Sequence, residues 1–130
     1  MDEVRLIPLK KIVGDKGSVF HIIRDPEFDI KEVYLSTVKK HSVKGWKKHI
    51  NMSLSLVVVQ GNVKFTVKKD AMTGQYTIGE DNYCRLEVQP GCWVCFEGLN
   101  DENMIINCAD LGHDPEEVIL RSFGGYDENF

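Results

Sequence analysis

The chain has 130 residues, a net charge of −4, 42% hydrophobic and 28% charged residues. That balance excludes a disordered chain, and 130 residues can bury a core without disulfide or metal staples. The acidic charge excludes a general nucleic-acid binder, which needs a basic face, and no apolar run approaches membrane-spanning length.

The chain opens with the acids of Met1-Asp2-Glu3-Val4-Arg5 and has no apolar signal region there, which predicts a cytoplasmic protein. Val19–Ile23 reads as a first strand, and Glu32–Val38 alternates and is β-rich. Val43–His49, with its lysines, reads as a loop feeding the core strand Met52–Val59. Gln60-Gly61-Asn62 signals a turn into the alternating Val63–Lys68, which together read as a hairpin with one covered face. Asp70–Gly74 reads as a loop, Tyr76–Ile78 as a short strand and Glu80-Asp81-Asn82 as a turn. Cys84–Val88, Trp93–Phe96 and Met104–Cys108 complete the strands, with Pro90-Gly91 as a further turn. Asp114-Pro115-Glu116-Glu117 has the cap and first-turn proline of a short helix. The tail Gly124–Phe130 has little to pack and is expected to fray.

Many short strands with almost no helix predict an all-β antiparallel sandwich or barrel, formed as one domain over residues 1–130. A jelly roll and an immunoglobulin-like sandwich both satisfy that pattern. The four cysteines, Cys84, Cys92, Cys95 and Cys108, read as buried thiols. Cys92-Trp93-Val94-Cys95 is formally a C-x-x-C, but no second pair completes a zinc site.

The chemistry concentrates at His49, which follows Gly45-Trp46-Lys47-Lys48. Histidine is the side chain whose ordinary pKa lies nearest neutrality, so it suits proton transfer. Neighbouring lysines can hold an anion, although Lys47 and Lys48 equally suit a solvated face. Trp46 and Trp93 suit a core or a stacking role, and Tyr34 and Tyr83 either pack or point a hydroxyl into a barrel mouth. His21, His41 and His113 read as structural or surface residues.

Three segments in order resemble the small cupin proteins related to dTDP-4-dehydrorhamnose 3,5-epimerase. They are Asp15–Phe20, then Val43–His49 with the strand up to Gly61, then Gly79–Tyr83 followed by Pro90-Gly91-Cys92-Trp93, Asn107–Asp110 and His113-Asp114-Pro115. The nearest resemblance is to short sugar-epimerase-like or isomerase-like cupins of surface-polysaccharide biosynthesis. It implies a cupin-like jelly-roll homodimer acting, without a cofactor, on a nucleotide-linked 4-keto-6-deoxy sugar. The ketone acidifies the adjacent C–H bonds, a base removes the proton, and the enolate is stabilised and reprotonated.

The resemblance assigns His49 as the base, and Lys47 or Lys48 is the candidate cation at the enolate oxygen. Lys16 matches an arginine that meets the nucleotide phosphates, while Tyr34, Trp46, Lys48, Tyr83 and Trp93 are candidate substrate contacts. The chain also departs from the epimerase. Leu54 stands where its strand lysine belongs, Ile106 or Asn107 where its acid tyrosine belongs, and Trp46 where an arginine precedes the histidine. Asp110 is the nearby aspartate left to orient the base. Metal-binding cupins carry histidines at the positions of Lys47 and Val94 and a glutamate near Ser53 or Leu54, so no metal is expected. A 3,4-ketoisomerase of related fold and a non-catalytic cupin binding a sugar or a partner protein are the alternatives.

Overall fold

Period-two alternation of apolar residues builds two layers. In the computed structural model, which describes residues 1–121, the strands are β1 (Val4–Pro8), β2 (Lys11–Gly14), β3 (Gly17–Phe20), β4 (Glu32–Lys39), β5 (Val43–His49) and β6 (Leu54–Gln60). They continue as β7 (Asn62–Lys69), β8 (Met72–Gly79), β9 (Cys84–Val88), β10 (Trp93–Gly98), β11 (Glu102–Ala109) and β12 (Val118–Leu120). One sheet has the order β1-β9-β6-β11-β4 and the other β12-β5-β10-β7-β8, while β2 and β3 form a separate hairpin. Strands inside each sheet pair antiparallel, as in a cupin-like jelly roll. The helix expected near the C-terminus is a single 3-10 turn, Pro115–Glu117, capped by the Asp114 side chain. The tail Gly124–Phe130 lies outside the described residues.

The sheets meet over one apolar cluster. Leu54, Leu56 and Val58 of β6 and Cys84, Leu86 and Val88 of β9 face Val63, Phe65 and Val67 of β7 and Val94 of β10. The other face of β6 is also covered. Ser55, Val57 and, on β9, Arg85 are buried there. Residues 21–31 supply a cover. Arg85 bonds Ser55 Oγ, meets Asp25 Oδ2 at 3.5 Å and lies 6.0 Å from the Phe28 ring. Burial on both faces explains why Leu54–Val59 is apolar at every position but Ser55 rather than alternating.

Several expectations change. Val43–His49 is a central strand, not a loop, pairing with β10 on one side and β12 on the other. Its polarity hides it, because at this end its inner face borders a cavity rather than the core. The Gly61 turn joins strands of different sheets, so it is not a hairpin. β7 instead forms a hairpin with β8 through Asp70, whose φ is +54°. Met72–Gly74, expected in a loop, belongs to β8. The first expected strand ends at Phe20, and β1, β2 and β12 add short edge or exposed strands that no apolar period marks.

The Gly61 crossing is held by Asn103, which is 1% exposed. Its Oδ1 accepts from Asn62 N (3.0 Å) and Asn100 N (3.2 Å), and its Nδ2 donates to Val38 O (3.0 Å) and Asn100 O (2.7 Å). Gly61 has φ +76°, and a Cβ there would collide with Asn103 Oδ1 and Glu102 O. Asn103→Ala therefore leaves buried amides and carbonyls unpaired. We expect a loss of about 2–4 kcal/mol in urea unfolding; a loss below about 0.5 kcal/mol, the scale of an ordinary surface change, would refute this role.

Candidate active site

The two sheets splay at one end around a cavity of about 480 Å³. Its floor is apolar, with Leu54, Leu56, Phe65, Val94, Phe96 and Ile105. Its polar groups arrive by strand alternation. β4 presents Glu32, Tyr34 and Ser36; β5 presents Gly45, Lys47 and His49; β11 presents Asn107; and His113 comes from the segment before β12.

His49 is half-buried at the end of β5, and its Nδ1 is buried without a hydrogen-bond partner among the described residues. Burial pushes its pKa below the ordinary 6.5; the Glu117 carboxylate opposes that shift, while Lys47 and His113 add to it. The imidazole is thus held neutral, the form that can accept a proton. Glu117 is 8% exposed and accepts from the Asn51 and Met52 amides at 2.5 and 2.6 Å, and from Asn51 Nδ2 at 3.3 Å. Burial alone would raise its carboxyl, but these donors and His49 hold it below the ordinary 4.5. The backbone seconds the clip, with Ile50 N donating to Glu117 O at 3.0 Å and Val118 pairing with His49.

Tyr34 brings a phenol to the opposite wall. Its hydroxyl lies 3.6 Å from Met52 Sδ. Burial first, then Glu32, raise its pKa above the ordinary 10.0 against an opposing hydrogen bond with Asn107, so it stays a proton donor at neutral pH. Asn107 stands in register with Tyr34 on the neighbouring strand. Tyr34 thus places a phenol one strand over from Ile106 and Asn107, the positions at which the resemblance seeks one.

The candidates thus divide. Lys47, His49 and Tyr34 share the cavity; the others do not line it. Asp110 accepts from Ser53 N at 2.7 Å, fixing the loop before β6 rather than the imidazole. Lys48 and Trp93 are opposed in register, with the ammonium 5.1 Å from the indole ring, on the face turned from Lys47 and His49. Trp46 is 1% exposed and outside the interior cluster. Tyr83 donates to His21 O at 2.9 Å and packs edge-on to Phe20, tethering the β2–β3 hairpin. Lys16 sits at that hairpin's exposed tip.

Sequence reasoning missed Glu32 and Glu117 and read His113 as a structural or surface residue, whereas it lines the cavity. The Asp114-Pro115 cap located the turn that carries Glu117, but nothing in the sequence said that this carboxylate turns inward. Among the described residues no group of three or more His, Cys, Asp or Glu is placed to hold a metal ion, the four cysteines are free thiols, and no helix is long and apolar enough to cross a membrane.

Both shifts weaken the fold in acid. His49 and Glu117 each bind their proton less readily folded than unfolded, so stability falls as pH drops below about 6.5 for the first and about 4.5 for the second. Glu117→Gln removes the negative charge that favours imidazolium. The His49 pKa, followed by NMR titration, should fall further; a rise would refute the coupling.

A family model described as WxcM-like, C-terminal (FdtA) matches residues 2–128. No curated protein sequence matches. Among solved structures, the dTDP sugar isomerase of Desulfovibrio desulfuricans G20 superposes with a TM-score of 0.85 at 28% identity, covering 92% of this chain and 83% of that one. QdtA, a sugar 3,4-ketoisomerase from Thermoanaerobacterium thermosaccharolyticum solved with TDP, gives 0.80 at 24% identity, covering 90% and 87%. The rmlC epimerase of Mycobacterium tuberculosis gives 0.80 at 14% identity, covering 91% and 68%. The resemblance to sugar-epimerase-like and isomerase-like cupins therefore holds at the level of fold, and with its model matched across residues 2–128 the chain belongs to the WxcM-like, C-terminal (FdtA) family.

Proposed function

We propose that the protein is a cofactor-independent isomerase or epimerase of a nucleotide-linked 4-keto-6-deoxy sugar, acting by proton abstraction beside the ketone in surface-polysaccharide biosynthesis. The observation that carries this reading is His49, an imidazole kept neutral by burial on the wall of a cavity that also presents a lysine and a phenol. The apolar floor suits a deoxy sugar's methyl-bearing face. His49 takes the proton from the carbon next to the ketone, the Lys47 ammonium stabilises the enolate oxygen, and the Tyr34 hydroxyl fixes the sugar by a hydrogen bond.

Transfer of the carbonyl from C4 to C3 is the second reading, favoured by one contrast. The sugar isomerase and the ketoisomerase are 28% and 24% identical to this chain, the epimerase 14%. That reaction needs one base able to serve adjacent carbons on one sugar face, and His49 suits it. An inversion needs proton delivery from the other face.

A homodimer is part of the proposal. Ile12, Val13, Val19 and Phe20 of the β2–β3 hairpin and Val33 and Leu35 of the edge strand β4 are exposed apolar residues, and a second copy would cover them. Lys16, at the hairpin tip, meets substrate in this scheme only by reaching the partner's cavity. Four free thiols suit a reducing, cytoplasmic setting.

The test is ring-proton exchange by NMR in deuterium oxide with nucleotide-linked 4-keto-6-deoxy sugars. Signal loss at C3 or C5 is expected with wild type and none with His49→Asn; exchange by the variant would sink the assignment. A rate that depends on neutral His49 rises with pH, and its acid limb should lie below the ordinary 6.5 because burial depresses that pKa. A limb above 6.5 would contradict a desolvated base.

A further inference from the structure

The cavity holds a second imidazole that the proposed reaction has not used. His113 is 64 positions from His49 in sequence (113 − 49), yet both line the same cavity and their charges interact. His113 is solvent-exposed, so its side chain is not there to fill the core. The segment that carries it is pinned from both sides. Its own backbone amide donates to Glu32 Oε1 at 2.6 Å, and four residues on, the Glu117 carboxylate grips the Asn51 and Met52 amides. Glu32 lines the cavity as well.

We infer that His113 is a second catalytic residue, the group that moves the oxygen-bound proton while His49 moves the carbon-bound one. This rests on the isomerase reading above. Shifting a carbonyl from C4 to C3 transfers two protons: one from C3 to C4 and one from O3 to O4. His49 takes the C3 proton, the C3–H pair becomes the C3=C4 bond, and the carbonyl pair moves onto O4. O4 takes a proton from the His113 imidazolium to give the enediol. Neutral His113 then takes the O3 proton as the C3 carbonyl forms, and the double-bond pair takes the proton at C4 from His49. Both imidazoles end as they began.

One imidazole cannot do both jobs together, because His49 is holding the carbon proton when the oxygens must exchange theirs. The other polar groups around the cavity serve less well. Lys47 is already engaged in this scheme with the enolate oxygen. The buried Tyr34 phenol is held protonated. Asn107 has no proton to give, and Glu32 is occupied with the His113 amide. Asp114 caps its own turn through Glu116 N, and Glu117 faces the loop amides.

The experiment compares His113→Ala and His113→Gln with wild type on a nucleotide-linked 4-keto-6-deoxy sugar. We expect kcat to fall about 10²-fold with KM nearly unchanged, since general acid–base groups contribute on that scale. One limb of the kcat–pH profile should vanish, and added imidazole should restore part of the rate to His113→Ala, whose site opens to solvent. Exchange at C3 should survive better than net product formation. An unchanged kcat, a loss confined to KM, or an unaltered pH profile would overturn the inference. Circular dichroism monitors folding, and His113→Gln stands in if the alanine variant unfolds. If wild type exchanges no sugar proton at all, the isomerase reading fails; if wild type is active and the His113 variants match it, only this inference fails.

Discussion

Glu117 carries a carboxylate into a place where charge is expensive, and the functional end of the molecule is arranged to accommodate it. Two backbone amides and an asparagine side chain donate to it, so the β5–β6 connection is fixed where it leaves His49. The same contacts accompany the pairing of β12 with β5 and the placing of His113 on the cavity wall. The charge is then near enough to temper the desolvation of the imidazole. One buried acid thus fixes the loop, pairs its backbone with Ile50 just before the last described strand and partly offsets the effect of burial on His49.

Strand β5 shows how a polar segment becomes a site. At Lys47 and Lys48 it is paired on both sides, with β10 and with β12, but its inner face looks into the cavity. Alternation sorts its residues. Lys47 and His49 face the cavity, and Lys48 lies against Trp93 on the other side. A register slip of one residue would exchange these sets, and the pairing on both edges prevents it.

The departures from the epimerase pattern also become intelligible. Leu54 replaces a lysine, and it forms part of an apolar floor with Leu56 and Phe65. Position 107 lacks a tyrosine, but its register partner on β4 is Tyr34. An orienting aspartate was sought at Asp110, which holds Ser53 instead. The carboxylate beside the imidazole comes from Glu117. Chemistry placed on different strands can converge on one cavity because facing strands bring distant positions within contact.

The sequence by itself determined the class of fold and much of its punctuation. Alternation in β4 and β9, the apolar run of β6 and the turns at Gly61, Glu80–Asn82 and Pro90-Gly91 were all legible, because burial on one face or both imprints directly on residue type. The family resemblance was legible as well. Tertiary structure decided which strands share a sheet, since a turn such as Gly61 looks the same in a hairpin and in a crossing. It decided that Val43–His49 is a strand, because a cavity-facing strand lacks an apolar period. It also decided which charged residues gather at the cavity. Glu32, Glu117 and His113 carry no local signal, for their environment is created by residues far away in the chain. Lys48 and Trp46, close to His49 in sequence, and Trp93 on the paired strand are kept off the cavity wall by the geometry of the sheet.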